Sequence, residues 1–423
     1  MEYNHKSMKT KKLKMMLLAI ACLAASHGLA QKAPDWESKA VKTSAYQLLY
    51  MAHKLDGTSR FPRNTVTSYP LAFISRQLER SEAQVSQELP EIRKDAGKLG
   101  SLATCDIYDW VSGFFPGSLW YGYQLTKDPR LKTEAAKYTN ELEPISHFPS
   151  SHDIGFMINC SYGNALRLAP NDTIKDVIVA AANTLCRRFD KKIGCIRSWD
   201  FGPWNFPVII DNMMNLDLLF NAWHLTGDTR YRDIAVAHAE TTMRHHFRPD
   251  YTCYHVVSYK DDGTVEWRGT HQGQSDSSAW ARGQAWAVYG YTRCYIETKK
   301  PEFLKQAVNV ADMIMRRVTT DDAIPYWDYD APASADTPRD ASAAAVTASA
   351  LFDLGKVAKD GSKYTAYATR IMKSLCSPAY LARPGENNGF ILMHSVGSLP
   401  HGSQIDTPLA YADYYFLEAL TKM

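Results

Sequence analysis

Asp211 closes the stretch of the chain richest in aromatic and apolar side chains, Arg197-Ser-Trp199-Asp200-Phe-Gly-Pro-Trp204-Asn-Phe206-Pro207-Val-Ile-Ile-Asp211-Asn-Met-Met-Asn. A carboxyl group that follows Val208, Ile209 and Ile210 is expected to lose hydration, which disfavours its charged form and raises its pKa. Such an acid holds a proton at neutral pH. Beside Trp199, Trp204 and Phe206 it is suited to protonating a sugar held against aromatic rings. Aspartate is equally a preferred helix N-cap, and the residues after Asp211 read as helix. On this stretch alone, capping and proton donation are equal readings.

Four further clusters carry residue types that do chemistry. In Asp109-Trp110-Val-Ser-Gly113-Phe114-Phe115-Pro116-Gly117, glycines and a proline fix a turn that presents Trp110 and Phe114, either to a ligand or to the core. Ser151-His152-Asp153-Ile-Gly155-Phe156 brings Asp153 into an apolar helix as cap or as pocket residue. His255 lies in a strand-like run, followed by Thr270-His271-Gln272-Gly273-Gln274-Ser275-Asp276-Ser277-Ser278, a polar loop suited to capping or to ligand binding. Ala279-Trp280-Ala-Arg282-Gly-Gln284-Ala-Trp286 reads as helix, with Arg282 and Trp286 four apart on one face. That pair suits a carboxylate beside a sugar ring, or a cation–π contact in a wall. The small residues around it favour binding. The chain has no His-Glu-x-x-His, no Gly-x-Ser-x-Gly elbow and no phosphate loop. His245 and His246 diverge on a helix, so no metal or cofactor is expected.

The elements that must hold these clusters repeat. Leu125-Thr-Lys-Asp128-Pro-Arg130-Leu recurs as Leu225-Thr-Gly-Asp228-Thr-Arg230-Tyr, each between an aromatic-rich run and an alanine-rich one. Weaker echoes fall at Leu168 to Asp172, Glu297 to Phe303 and Val357 to Tyr364. Each reads as helix, turn, helix, with aspartate capping the second helix. Apolar residues between turns keep helical spacing, as in Ile174, Val177, Ile178, Ala181 and Ala182. Strand signals are short: Ile193 to Ile196, Tyr254 to Tyr259 and Phe390 to Met393. Repeated hairpins of this kind stack as an open solenoid or close into a ring. One unit is stretched by an insertion around Arg248 to Ser278, and long insertions in regular scaffolds are often functional.

Composition bounds the rest. Of 423 residues, 45% are hydrophobic and 22% charged, as in globular proteins. Lys6, Lys9, Lys11, Lys12 and Lys14 precede an apolar run from Met15 to Ala25 and the small residues Gly28-Leu29-Ala30, so residues 1–30 read as a secretory signal peptide. The leader holds five lysines and one glutamate, which leaves 43 basic against 44 acidic side chains in residues 31–423. The global charge therefore gives no reason to expect a nucleic-acid partner. No later segment is long and apolar enough to span a bilayer, so a periplasmic or secreted protein is expected. Seven cysteines remain, odd in number and scattered, which is no disulfide framework.

Taken in order along the chain, Trp-x-Ser-Gly-Phe, His-Asp-x-Gly-Phe, Asp-Asn-Met-Met-Asn and Thr-His-Gln-Gly-x-Ser-x-x-Ser-x-Trp-Ala-Arg-Gly-Gln-Ala-Trp resemble the unsaturated glucuronyl hydrolases of glycoside hydrolase family 88. The likeness runs from about Asp109 to Asp340 and resumes at Tyr411. It implies an all-α fold, an (α/α)6 barrel of six inner helices ringed by six outer ones, formed by residues 31–423 as one catalytic domain. It also implies a substrate: an oligosaccharide with a Δ4,5-unsaturated uronic acid at its non-reducing end. By motif position Asp211 matches the family's general acid/base and Asp153 its second essential aspartate. Trp110, Phe114, His255, Gln272, Trp280, Arg282 and Trp286 match pocket residues. Ser403, in the loop His394 to Gln404, lies where the family meets the next sugar. The implied reaction is hydration of the C4=C5 enol ether rather than attack at the anomeric carbon. Two other readings remain. One is an unsaturated rhamnogalacturonyl hydrolase acting on pectin fragments. The other is a helical ring that binds glycans without catalysis.

Overall fold

The computed structural model describes residues 35–89 and 98–423; the predicted signal peptide lies outside them. The first helix is α1 (Asp35–Leu55), followed by two short ones, α2 (Leu71–Leu78) and α3 (Glu82–Glu88). Hairpins then follow one another. α4 (Phe114–Thr126) leads to α5 (Pro129–Asn140). α6 (Ile154–Ile158), a π-helical turn (Asn159–Gly163) and α7 (Asn164–Leu168) lead to α8 (Asp172–Cys186). α9 (Asn212–Thr226) leads to α10 (Thr229–His245), α11 (Ala281–Thr298) to α12 (Pro301–Arg317), and α13 (Ala341–Val357) to α14 (Gly361–Leu375). α15 (Ala410–Lys422) ends the chain.

The first member of each hairpin packs against the first member of the next, and α15 packs back on α4. The helices α4, α6–α7, α9, α11, α13 and α15 thus close a ring, which settles the choice between ring and solenoid. Burial explains which helices lie inside. In α11, Ala281 to Thr292 are all buried, and in α13 so are Ala341 to Phe352, whereas α12 buries one face only. A helix apolar all round belongs in a core, and an amphipathic one belongs on its outside. α1 joins the outer layer: Leu48 meets Gly122 of α4, and Gln47 donates to the carbonyl of Phe390, whose successor Ile391 donates to Asp413 of α15.

The hairpin turns are built as the repeat predicts in two cases. Asp128 and Asp228 each accept a hydrogen bond at 2.9 Å from the backbone N–H two residues on, Arg130 and Arg230. The preceding residues, Lys127 and Gly227, end their helices in the left-handed conformation. At the weaker echoes the device changes. Asn171, not Asp172, caps α8. α12 starts at Pro301 without a side-chain cap, and Asp360 caps nothing.

Sheet structure is small but sits at the site. β5 (Phe206–Ile209), β6 (Val256–Tyr259) and β7 (Val265–Gly269) form an antiparallel sheet, so the predicted insertion is a β-hairpin paired with the strand that leads to Asp211. Ahead of it come the minor pairs β1 (Phe61–Thr65) with β2 (Leu102–Cys105) and β3 (Phe189–Asp190) with β4 (Cys195–Ile196). The strand expected at Phe390 to Met393 reduces to one bridge, Leu381 to Leu392. Six of the seven cysteines among the described residues are buried.

Candidate active site

Inner helices α6, α9, α11, α13 and α15 all begin at the same end of the ring, and the candidate residues gather there. Asp211 and Asp153 occupy the N-cap positions of α9 and α6, yet neither side chain caps its helix. Both have αR backbone angles, whereas a capping aspartate is extended, as Asp128 is. The capping reading therefore falls at both. Asp340, which opens α13, does cap: its Oδ1 accepts from the N–H groups of Ser342 and Ala343.

Two asparagines fix the aspartates relative to each other. The Asn215 side chain accepts the N–H of Phe156 at 2.7 Å, and Asn212 donates to the carbonyl of Ile196. A Cβ at Gly155 would fall 2.4 Å from Asn215 Oδ1, so only glycine lets α6 start this close to α9. Asn215 lies four residues after Asp211, on the same helix face. That spacing is a signal by which it was findable in Asp-Asn-Met-Met-Asn.

Strand register supplies the next group. Ile209 pairs with Val256, and the N–H of Ile210 continues the ladder to the carbonyl of His255, placing His255 beside Asp211. His255 Nδ1 accepts the N–H groups of His271 and Gln272, both at 3.1 Å. An accepting Nδ1 carries no proton, so the ring proton is on Nε2. Nε2 stands 3.5 Å from Asp211 Oδ2, and neither atom has another hydrogen-bond partner. Gln272 also reaches the carbonyl of Gly397 through its side chain.

Charge at Asp211 differs from the expectation. Burial pushes its carboxyl up, but His255, Arg282 and His152 outweigh burial and hold it below the usual carboxylate range. The apolar neighbours in sequence were read correctly; the opposing groups arrive from elsewhere in the chain. Asp153 moves the other way. Burial and the nearby charge of Asp211 raise it, against opposition from His152, Ser151 and Asn215. The two carboxyls are thus driven apart, and without a ligand the proton is held more firmly by Asp153 than by Asp211.

The remaining predicted residues divide by depth. Trp110 keeps part of its ring at the surface and packs on Phe114, Phe156 and Tyr411 with centroids 5.0–5.7 Å away. Phe114 and Trp286 are 0% exposed and Trp280 is 2% exposed, so these three rings form the wall behind the site rather than a face for a sugar. Trp280 backs His255 at 4.5 Å. Arg282 is also inside, 1% exposed. Its Nη1 pairs with Asp340 at 3.2 Å and donates to the carbonyl of Val396, and Nη2 donates to that of Gly397 at 2.6 Å. Only Nε lacks a partner, so the guanidinium holds the 394–407 loop first. Ser403 sits on that loop, pairing with Ser398, and lines a cleft of about 620 Å³ with His401, Asn64 and Tyr69. None of the groups around Asp211 lines this cleft.

Three rings form a platform that the sequence only half disclosed. Trp199 stacks on the exposed Phe201 at 4.9 Å. His271 lies 5.4 Å from Trp199 and 4.3 Å from His401. Burial, with help from His401 and His255, pushes His271 down to about 3, so it is a neutral ring near pH 7.

The sequence matches the family model described as Glycosyl Hydrolase Family 88 over residues 85–418, and one for a domain of unknown function over residues 8–80. An unsaturated glucuronyl hydrolase of Formosa agariphila is 47% identical over 74% of this chain and 80% of its own. An unsaturated chondroitin disaccharide hydrolase of Streptococcus pyogenes is 29% identical over 82% of this chain and 90% of its own. The crystal structure of an unsaturated glucuronyl hydrolase specific for heparin superposes with a TM-score of 0.82. It is 45% identical and covers 92% of this chain and 96% of that one. The glycosaminoglycan-degrading unsaturated glucuronyl hydrolase of Bacillus sp. strain GL1 gives a TM-score of 0.79 at 26% identity, covering 91% and 96%. The ring described above is accordingly an (α/α)6 barrel.

Proposed function

The chain belongs to glycosyl hydrolase family 88 and is a glycoside hydrolase, and from its site we propose that it removes the Δ4,5-unsaturated uronic acid from the non-reducing end of glycosaminoglycan fragments made by a lyase. The observation that carries this reading is the pair of aspartates, Asp211 buried and Asp153 half-buried, at helix starts that they do not cap, Asp211 facing the Nε2–H of His255.

Asp211 donates its proton to C4 of the enol ether. Positive charge develops at C5 and the ring oxygen. Water adds at C5 and returns a proton to Asp211, so one residue serves as acid and then base. The hemiketal formed at C5 opens, and the remaining saccharide leaves. Asp153 orients the ring hydroxyls and, when ionised, raises Asp211. The substrate's own carboxylate works in the same direction. Brought among His255, His152 and the unpaired Arg282 Nε, it offsets the groups that hold Asp211 down. Trp110 and Phe201 supply the ring faces for the sugars, with Trp199 stacked behind Phe201, while Gln272, Phe114, Trp280 and Trp286 support the groups in front of them.

The relatives favour a glycosaminoglycan source over pectin: one is named for chondroitin disaccharide and one structure for heparin. Export of residues 31–423 to the periplasm or medium is part of this reading, supported by the lysine-rich leader. N-terminal sequencing of the mature protein checks it, and an intact leader would refute it. For the reaction, Asp211→Asn is expected to abolish the loss of ultraviolet absorbance when lyase-digested glycosaminoglycan is added. Near-normal turnover by that variant would sink the assignment.

A further inference from the structure

His152 adjoins Asp153 and acts electrostatically on Asp211. It precedes Asp153 in sequence, and its backbone N–H donates to the carbonyl of Ser198, on the segment leading to Asp211. Its ring is 1% exposed. Nε2 lies 3.1 Å from Asp153 Oδ1 but without hydrogen-bond alignment, and both ring nitrogens lack a partner. Asn212 Oδ1, one residue beyond Asp211, is buried and unpartnered as well, and the Asn212 side chain is within reach of the ring. Fully unpaired buried histidines are rare, because each unmade hydrogen bond leaves a desolvation cost unrecovered. Neither the sheet nor the barrel wall needs a polar group there.

We propose that His152 is a positioning residue that decides where the pair's proton resides once the substrate carboxylate is bound: by donating Nε2–H to Asp153 it keeps that carboxyl ionised and leaves the proton on Asp211. A small ring rotation makes the bond. The groups facing His152 are Asp153 on its own segment, Asp211 and Asn212 at the start of α9, Arg188 beyond α8 and His238 on α10. Burial and Arg188 lower His152, so near neutral pH it acts as a neutral donor. Without that donor, Asp153 takes up a proton. Asp211 then loses a neighbouring negative charge and gives up its own proton more readily.

The inference rests on Asp211 being the acid, and the experiment separates the two. The pH profile of kcat, which reports the enzyme–substrate complex, is measured with a lyase-generated unsaturated disaccharide for His152→Leu, which has no donor, and His152→Gln, whose amide reaches the Nε2 position. His152→Leu is expected to move the basic limb about one pH unit toward acid, a ~10-fold loss above that limb, and His152→Gln to keep the limb in place. Equal shifts in the two, or no shift in either, overturn the proposal. Should His152→Leu not fold, His152→Asn takes its place. Its amide sits near Nδ1 instead, so the limb should move in Asn and not in Gln, and identical profiles overturn the proposal. Asp211→Asn is run alongside. Activity there would remove the acid itself, whereas an inactive Asp211→Asn with unmoved His152 profiles removes only the role given to His152.

Discussion

The two ends of the barrel treat buried polar groups in opposite ways. At the end where α6, α9, α11 and α15 start, Asp211 Oδ2, His255 Nε2, both nitrogens of His152, Asn212 Oδ1, Asn215 Nδ2 and Arg282 Nε are buried without partners. At the far end, Glu418 of α15 accepts from Tyr121 at 3.0 Å, Tyr289 at 2.9 Å and Ser349, and pairs with Lys422 at 3.3 Å. Arg293 there joins Asp217 at 3.1 Å and Glu297 at 2.7 Å. Unsatisfied buried groups are costly, so a fold keeps them where something else must be bound or moved. The paired end closes the ring; the unpaired end does chemistry.

That contrast breaks first at Asp211. Asp211→Asn should lower kcat/KM by at least ~10³-fold, as loss of a general acid does, while the thermal midpoint stays put because the side chain caps nothing. A large fall in the midpoint would make Asp211 structural. Arg282→Ala belongs to both worlds. The sequence reading made it a substrate-binding variant. Its pairing with Asp340 deep in the wall instead predicts about 3–5 kcal/mol of lost stability, read by urea unfolding. A stable variant with only a raised KM would restore the earlier reading.

Acid should act on the catalytic end. His238 and His246 are 0% exposed, and burial pushes both down to about 3. Each is neutral when folded and takes a proton near pH 6.5 when unfolded. Their contribution is therefore present above pH 6.5 and falls as pH drops toward 3. Between pH 6.5 and 5 the loss is at most roughly 2 kcal/mol per histidine, and His238→Gln should flatten the slope of stability against pH. At the paired end, Glu418→Gln should cost about 2 kcal/mol and leave kcat unchanged; a catalytic defect would mean the two ends are coupled. The smallest effect is expected at a hairpin turn. Asp228→Ala removes a cap worth about 1 kcal/mol, measured as a lower urea midpoint at unaltered turnover.

Much of this organisation was legible in the chain. The Leu-Thr-x-Asp repeat located two hairpin turns to the residue, because a cap is a contact between residues two apart. Asp153, Asp211, His255 and Gln272, named from separate motif clusters, come near one another in the fold, at helix starts and loop ends. Depth was not legible. Phe114, Trp280 and Trp286 have the composition of a sugar platform, yet the exposed ring is Phe201, stacked on the buried Trp199 beside the half-buried His271. Nor did the polar loop from Thr270 to Ser278 reveal that two of its N–H groups fix the tautomer of His255.

The sequence by itself determined most helices and two hairpin caps and named the candidate acid, since these depend on periodicity and on neighbours within a turn. Tertiary structure alone decided that Asp211 does not cap, that its carboxyl is held down rather than up, and that Arg282 is tied to Asp340 and the 394–407 loop. Electrostatic and hydrogen-bond energies depend on distances in space, and the groups that set them at Asp211 come from three separate segments: His152 before α6, His255 before β6 and Arg282 on α11. Asp211 therefore looks like an isolated apolar acid in the chain, and in the fold it is the meeting point of two histidines, an arginine and a second aspartate.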